Sequence, residues 1–188
     1  MPRRLIASLV SLLLALACSA AWADKYQDTI DIFSNAGESG HFFGSSYGYA
    51  VFPTIGKAGF VVGGAYGEGR VYVGGQHVGD ATMTQLTVGW QLGGQAYSMI
   101  IFFQDRRAFD EFTGGNFEFS AQATAVAITA GASASAGTAG SSAGASAGRH
   151  EAATAGGYSK GMAVFTVAKG GLMYEASIGG QKFSYTPL

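Results

Sequence analysis

Three groups of residues have the types and spacing to do chemistry. Gly44-Ser-Ser-Tyr-Gly48 reads G-x-S-x-G, the nucleophile elbow of esterases. That elbow needs a buried parallel strand running in and a helix running out. Here a polar loop precedes it and a β-patterned run follows, so the segment reads as turn chemistry. Gly63-Gly-x-x-Gly-x-Gly69 has the look of a phosphate loop. A dinucleotide fingerprint, however, requires a helix after the glycines, and here the strand pattern continues through Arg70-Val-Tyr-Val73. His41, His77 and His150 each stand alone in a loop, with no His or Cys partner at metal-ligand spacing. Glu68, Asp80 and Glu111 fall near turns, where carboxylates are ordinarily solvated. The expectation is a non-enzymatic chain with no cofactor and no metal site.

The elements that position these residues follow from periodicity. Gly48 to Tyr72 holds an apolar run, a turn containing Pro53, Lys57-Ala-Gly-Phe60, a second apolar run and a glycine cluster. Glycines inside a strand pattern mark a bulge, a bend or close approach of another segment, so two tightly curving strands are expected here. Asp24 to Ala36 reads as a helix, with Tyr26, Ile30 and Phe33 on one face and Gly37 as its stop. Its polar face carries Asp24, Asp28 and Asp31, which anionic lipid would repel, so it is expected to pack on the sheet. Gly74 to Gly79 reads as a hairpin turn. Met83 to Gly89 alternates as a strand, with Leu86 and Val88 on one face, and Gln95 to Phe103 reads as a strand buried on both faces. A short helix is expected over Asp105 to Phe112. Phe117 to Ala134 reads as a long strand of small residues or as a strand that trails into a loop, and Gly131 to Gly148 as a Gly/Ala/Ser linker or, alternatively, a close-packed hairpin. Gly161 to Tyr185 reads as three strands joined at Lys169-Gly-Gly171 and Gly179-Gly-Gln-Lys182.

Residues 1–23 read as a secretory signal peptide, with Arg3 and Arg4, an apolar run from Leu5 to Ala17, and Ala21-Trp22-Ala23 before the cleavage point. The expected location is periplasmic or extracellular. The alternative is a lipoprotein anchored through Cys18, since Leu14-Ala-Leu-Ala-Cys18 loosely fits a lipobox. Cys18 is the only cysteine, so a chain starting at Asp24 has no disulfide and relies on packing. Losing Arg3 and Arg4 leaves nine basic residues against twelve acidic ones, a formal charge of −3. No basic stripe is present, which argues against a nucleic-acid partner. Residues 24–188 fit one domain.

The chain resembles the SYLF domain family, found in yeast actin-patch proteins, in phosphoinositide-binding proteins of animals and plants, and in secreted bacterial proteins. The residues that carry the resemblance are Gly48-Tyr-Ala-Val51, Lys57-Ala-Gly-Phe60, Gly64 through Gly69, Gly89 to Tyr97, Phe112 to Phe117 and Ala163 to Gly180. Together they span roughly residues 26 to 185. The expected fold is α+β and mostly antiparallel β: a single strongly curved sheet or small barrel with the N-terminal helix packed against it. The resemblance implies a non-enzymatic lipid-binding protein of the bacterial cell envelope that recognises anionic or phosphorylated headgroups. Lys57, which matches the Lys-Ala-Gly-Phe motif, is the foremost candidate contact, followed by Arg70 and Lys169. A basic side chain beside glycine amides at a β-turn binds phosphate well. Actin and endocytic roles do not carry over to an exported chain. Two other readings stay open. One is a structural module pairing with envelope proteins through strand edges. The other is a transmembrane β-barrel, although Ile100 to Phe103 is too apolar for a polar lumen.

Overall fold

The computed structural model describes residues 25–59, 62–88, 95–115, 117–119, 125–128, 157–169 and 180–188. The expected signal segment, the Gly/Ala/Ser run and the middle strand expected within 171–179 lie outside the described residues. Helix α1 covers 25–35, and a 3-10 turn follows at Gly40–Gly44. The strands are β1 (Gly48–Gly59), β2 (Val62–Val73), β3 (Gln76–Val88) and β4 (Gln95–Phe103), then helix α2 (Arg106–Thr113), β5 (Phe117–Glu118), β6 (Val126–Ile128), β7 (Met162–Lys169) and β8 (Gln181–Pro187). One sheet holds all eight strands in the order β5-β8-β3-β2-β1-β4-β7-β6. Every pairing is antiparallel except β6 with β7. The mostly antiparallel α+β fold with an N-terminal helix against a curled sheet is as the sequence leads one to expect.

Chain length alone requires the curl. Strands β5 and β6 sit at opposite edges of the sheet, yet only the eight steps from Glu118 to Val126 join them. Fully extended, those steps reach at most about 29 Å. Seven strand spacings in a flat sheet would separate the edges by about 34 Å. The sheet therefore bends into a half-barrel. Two contacts across its inside make the same point: Phe52 of β1 meets Phe183 of β8 with ring centroids 5.6 Å apart, and Gln181 of β8 reaches Tyr97 of β4. A single long strand over Phe117 to Ala134 is thus corrected to two short strands on opposite edges.

Two features of β1 and β2 permit the bend. Pro53 lies inside β1, where the sequence pattern had placed a turn, and the register slips beside it against both neighbours. Proline offers no N–H to a ladder, so it is tolerated in a central strand only at such a bulge. Its carbonyl accepts a hydrogen bond from Ser98 Oγ at 2.8 Å. On β2, Gly67 and Gly69 face inward beneath Ile55 and Phe52. A Cβ on Gly69 would lie 2.6 Å from the Phe52 ring, and one on Gly67 2.6 Å from Ile55 Cγ1. The missing side chains let large groups of β1 cross the neighbouring strand, a close approach of the kind strand glycines allow. At the other end of β2, Gly74 and Gly75 take φ of 58° and 79° and close a two-residue hairpin to β3.

Both faces carry a core. On the concave side Phe52, Ile55, Met83, Met99, Ile101, Phe103 and Phe183 pack with Phe112 of α2. The Asp105 carboxylate caps α2 by accepting from Ala108 N at 2.9 Å. On the convex side Tyr26 and Phe33 of α1 and Phe42 of the 3-10 turn cover Val51, Ile100, Phe102 and Phe165. Strand β4 is consequently buried on both faces, as its apolar run implies. Helix α1 covers the β1–β4–β7 side and reaches β2 through the stack of Tyr26 on Arg70. Tyr66 and Leu86, on the convex side of β2 and β3, remain exposed.

Replacing Gly69 by Ala is expected to destabilise the domain by about 1–3 kcal/mol, because the methyl group must displace the buried Phe52 ring. Gly56→Ala in the neighbouring strand meets nothing within 4 Å and serves as the control. Urea midpoints that fall equally for the two variants would contradict the close-approach role of Gly69.

Candidate functional site at the lysine-bearing end of the sheet

The candidate cations fall on strands whose pairing fixes their relations. Lys57 pairs with Ala65 and Gln95, and Lys169 pairs with Ala96. Both therefore lie at the same end of the sheet, in adjacent transverse rows. Alternation puts them on opposite faces. Lys57, two residues beyond the inward-facing Ile55, is on the concave side and half-buried. Lys169 is on the convex side and exposed, and its Nζ donates to Thr54 Oγ1 at 2.8 Å. Among the described residues neither lysine forms an ion pair.

Arg70 is elsewhere. It pairs with Val51 and Asp80, four residues further along β2 than Tyr66. Its guanidinium stacks on the Tyr26 ring of α1, with Cζ 4.3 Å from the centroid. Burial raises the Tyr26 hydroxyl above its usual range, the Arg70 charge opposes that rise, and Asp80 and Glu68 add to it. Arg70 is thus engaged in holding α1 to the sheet, in a neighbourhood that also holds two carboxylates. The structure brings Lys57 and Lys169 to one end and leaves Arg70 apart from them. It also adds Lys182, which pairs with Thr84 at the same end and makes a 3.5 Å ion pair to Glu118. The signal for Lys182 was present in Gly179-Gly-Gln-Lys182, a lysine beside a glycine pair like Lys169-Gly-Gly171.

The concave mouth beside Lys57 is polar. Gln181, Gln85, Ala65 and Lys57 form one register row across four strands. Gln85 and Gln181 are buried. The Gln181 side chain donates from Nε2 to the Tyr97 hydroxyl at 2.9 Å. Burial pushes the Tyr97 hydroxyl up to about 12, partly offset by that hydrogen bond. Gln181 Oε1 and Thr166 Oγ1 are buried without a hydrogen-bond partner among the described residues. Gln85 and Leu86 show why the alternation of β3 was legible but its sense was not: the amide faces the core and the leucine faces out.

The motifs with catalytic spacing are placed as follows. Ser45 N and Ser46 N both donate to Phe42 O, so Gly44–Gly48 closes the 3-10 turn and runs into β1. The strand–turn–helix geometry of a nucleophile elbow is not formed. The glycines from Gly63 to Gly69 lie within β2, which continues through Val73. His77 Nε2 lies 3.0 Å from both Gly79 O and Asp80 Oδ1; both are acceptors, so this nitrogen carries the proton. His150 lies outside the described residues. Among the described residues no three His, Cys, Asp or Glu side chains gather where they could hold a metal.

A curled, mostly antiparallel sheet with a helix on each face, presenting lysines and a polar mouth at one end, defines a β-rich α+β domain. Residues 84–185 match the Ysc84 family, described as Las17-binding protein actin regulator. The matched segment exceeds half of the 188 residues, and the chain belongs to this family, the SYLF domain family. No curated protein matches the chain. The match begins within β3, so it contains Lys169 and Lys182, while Lys57 and Arg70 precede it.

The Tyr97 environment gives the domain an alkaline limit. A hydroxyl whose folded value lies near 12 against an ordinary 10 stabilises the fold fully below pH 10 and loses that contribution as pH rises toward 12. The amount is about 2–3 kcal/mol. Tyr97→Phe should flatten the fall of the urea midpoint between pH 10 and 12. The residual slope belongs to Tyr26, Tyr49, Tyr158 and Tyr185, which burial also raises. An unchanged slope would contradict a buried, neutral Tyr97.

Proposed function

We propose that this chain is a non-enzymatic module of the bacterial cell envelope that binds membrane surfaces through anionic or phosphorylated lipid headgroups. SYLF membership supports a lipid-binding or protein-interaction module. The headgroup reading rests on one observation: Lys57 and Lys169 stand at the same sheet end with no carboxylate paired to either among the described residues. A cation already held by a carboxylate gains little from a phosphate, whereas one without such a partner gains a charge-assisted hydrogen bond. Each such lysine near an anionic bilayer contributes on the order of 1 kcal/mol, within a Debye length of the surface. Residues 1–23, read as a signal peptide, support export. Actin-related roles are left with the proteins for which the family is described.

The test is co-sedimentation of the chain from Asp24 with vesicles of neutral lipid, phosphatidylglycerol, cardiolipin or phosphoinositide. Pelleting is expected only with anionic vesicles. It should weaken about fivefold for Lys57→Ala or Lys169→Ala, and also as salt rises. Arg70→Ala is expected to bind normally and to lose about 1 kcal/mol of stability, because it loses the Tyr26 stack. Absence of pelleting with every vesicle would overturn the lipid reading and favour a protein partner in the envelope.

A further inference from the structure

The convex face at the lysine-bearing end has an order that the pairing registers reveal. Lys182, Thr84, Tyr66, Gly56, Ala96 and Lys169 form one unbroken register row across β8, β3, β2, β1, β4 and β7. Residues directly opposite one another share a face, so the row is a single stripe with Lys169 at one end and, at the other, Lys182 followed in register by Glu118 of β5. One step nearer the sheet end, Leu86, Gly64 and Ala58 form the next outward row. Leu86 is 86 % exposed and Tyr66 52 % exposed, and they are diagonal neighbours. On a convex surface the middle of a stripe stands proud and its ends fall back.

We propose that this stripe is the surface that enters the bilayer, with Leu86 and Tyr66 seated among the lipids at the crest and Lys169, which has no carboxylate partner among the described residues, reaching a headgroup phosphate on the flank. The inference rests on the lipid reading above and assigns it a face. The chemistry matches an anionic bilayer. A large aliphatic side chain held almost wholly in water gains by burial. A tyrosine suits the headgroup boundary, where its ring is apolar and its hydroxyl wet. Lysine stems lie along apolar surface while their ammonium groups stay at headgroup level. The small residues between them, Gly56, Ala58 and Gly64, let the crest approach closely. Two carboxylates border the stripe. Glu68 accepts from the Tyr66 hydroxyl at 3.0 Å one step toward the middle of the sheet, and Glu118 pairs with Lys182 on the edge strand. Glu68 lies behind the leading Leu86 row, and Glu118 neutralises Lys182 at the receding flank, so the crest enters ahead of both.

The test uses the chain from Asp24, which has no cysteine of its own, with Leu86→Cys carrying a polarity-sensitive fluorophore and Asp110→Cys on α2 as the control. The probe is a phosphatidylglycerol vesicle with or without nitroxide-bearing acyl chains. The expected result is a blue shift and nitroxide quenching at position 86 and neither at position 110. Leu86→Ser, without label, should weaken vesicle partition about tenfold. Vesicle co-sedimentation with no spectral change at position 86 overturns this inference and leaves the lipid reading standing. No co-sedimentation overturns both. A blue shift at position 86 that grows with protein concentration in the absence of vesicles also overturns it, since a second copy then covers the face.

Discussion

Curvature is the constraint on which the rest of this molecule depends. The sheet can close far enough to bring β8 against the inside of β1 and β4 only because β1 slips register at Pro53 and because Gly67 and Gly69 leave room for Ile55 and Phe52. Bulges and glycines are the general means of bending sheets. In this chain they act together on two adjacent central strands. The bend creates a concave core completed by α2. It also leaves a convex face larger than α1 can cover, and the lysine-bearing stripe lies on the uncovered part. Fold and surface chemistry are thus two consequences of the same packing.

Much of this was legible in the sequence, and the reasons are specific. Helix α1 announced itself through Tyr26, Ile30 and Phe33, of which Tyr26 and Phe33 are buried. The run ending in Ile100-Ile-Phe-Phe103 read as buried on both faces, because Met99 to Phe103 is apolar at five consecutive positions. Gly74-Gly75 marked a hairpin, and Asp105 to Phe112 a short helix, which the structure places at Arg106–Thr113. Other features were not legible. Proline beside Thr54 reads as a turn, because a bulge in a central strand depends on the register of two partners that no local pattern encodes. The direction of β3 misleads as well: its leucine is outside, and Gln85 is inside because tertiary pairing sets it beside the buried Gln181. Nor does local sequence show that two short strands from one small-residue segment part to opposite edges.

The candidate site was legible as residue types and illegible as an arrangement. Lys57, Arg70 and Lys169 are all basic residues near glycine in strand-like surroundings. Only the registers separate them. Lys57 and Lys169 fall in adjacent rows at one end, while Arg70 points at Tyr26 and fastens the N-terminal helix. Lys182, equally visible as a lysine after a glycine pair, joins the first two because β8 pairs with β3 at Thr84. A row spanning six strands assembled from distant segments is a property of topology, since consecutive members are up to 98 residues apart in sequence (Thr84 and Lys182).

The central claim is that this end of the sheet meets an anionic membrane, and the most direct measurement is lysine footprinting. The chain has five lysines, Lys25, Lys57, Lys160, Lys169 and Lys182. Acylation of each would be followed by mass spectrometry with and without phosphatidylglycerol vesicles. The account requires that vesicles slow the modification of Lys57 and Lys169 while Lys160, which precedes β7 at the opposite end of the sheet, reacts at its solution rate. Equal protection of all five, or protection of Lys160 alone, would contradict it.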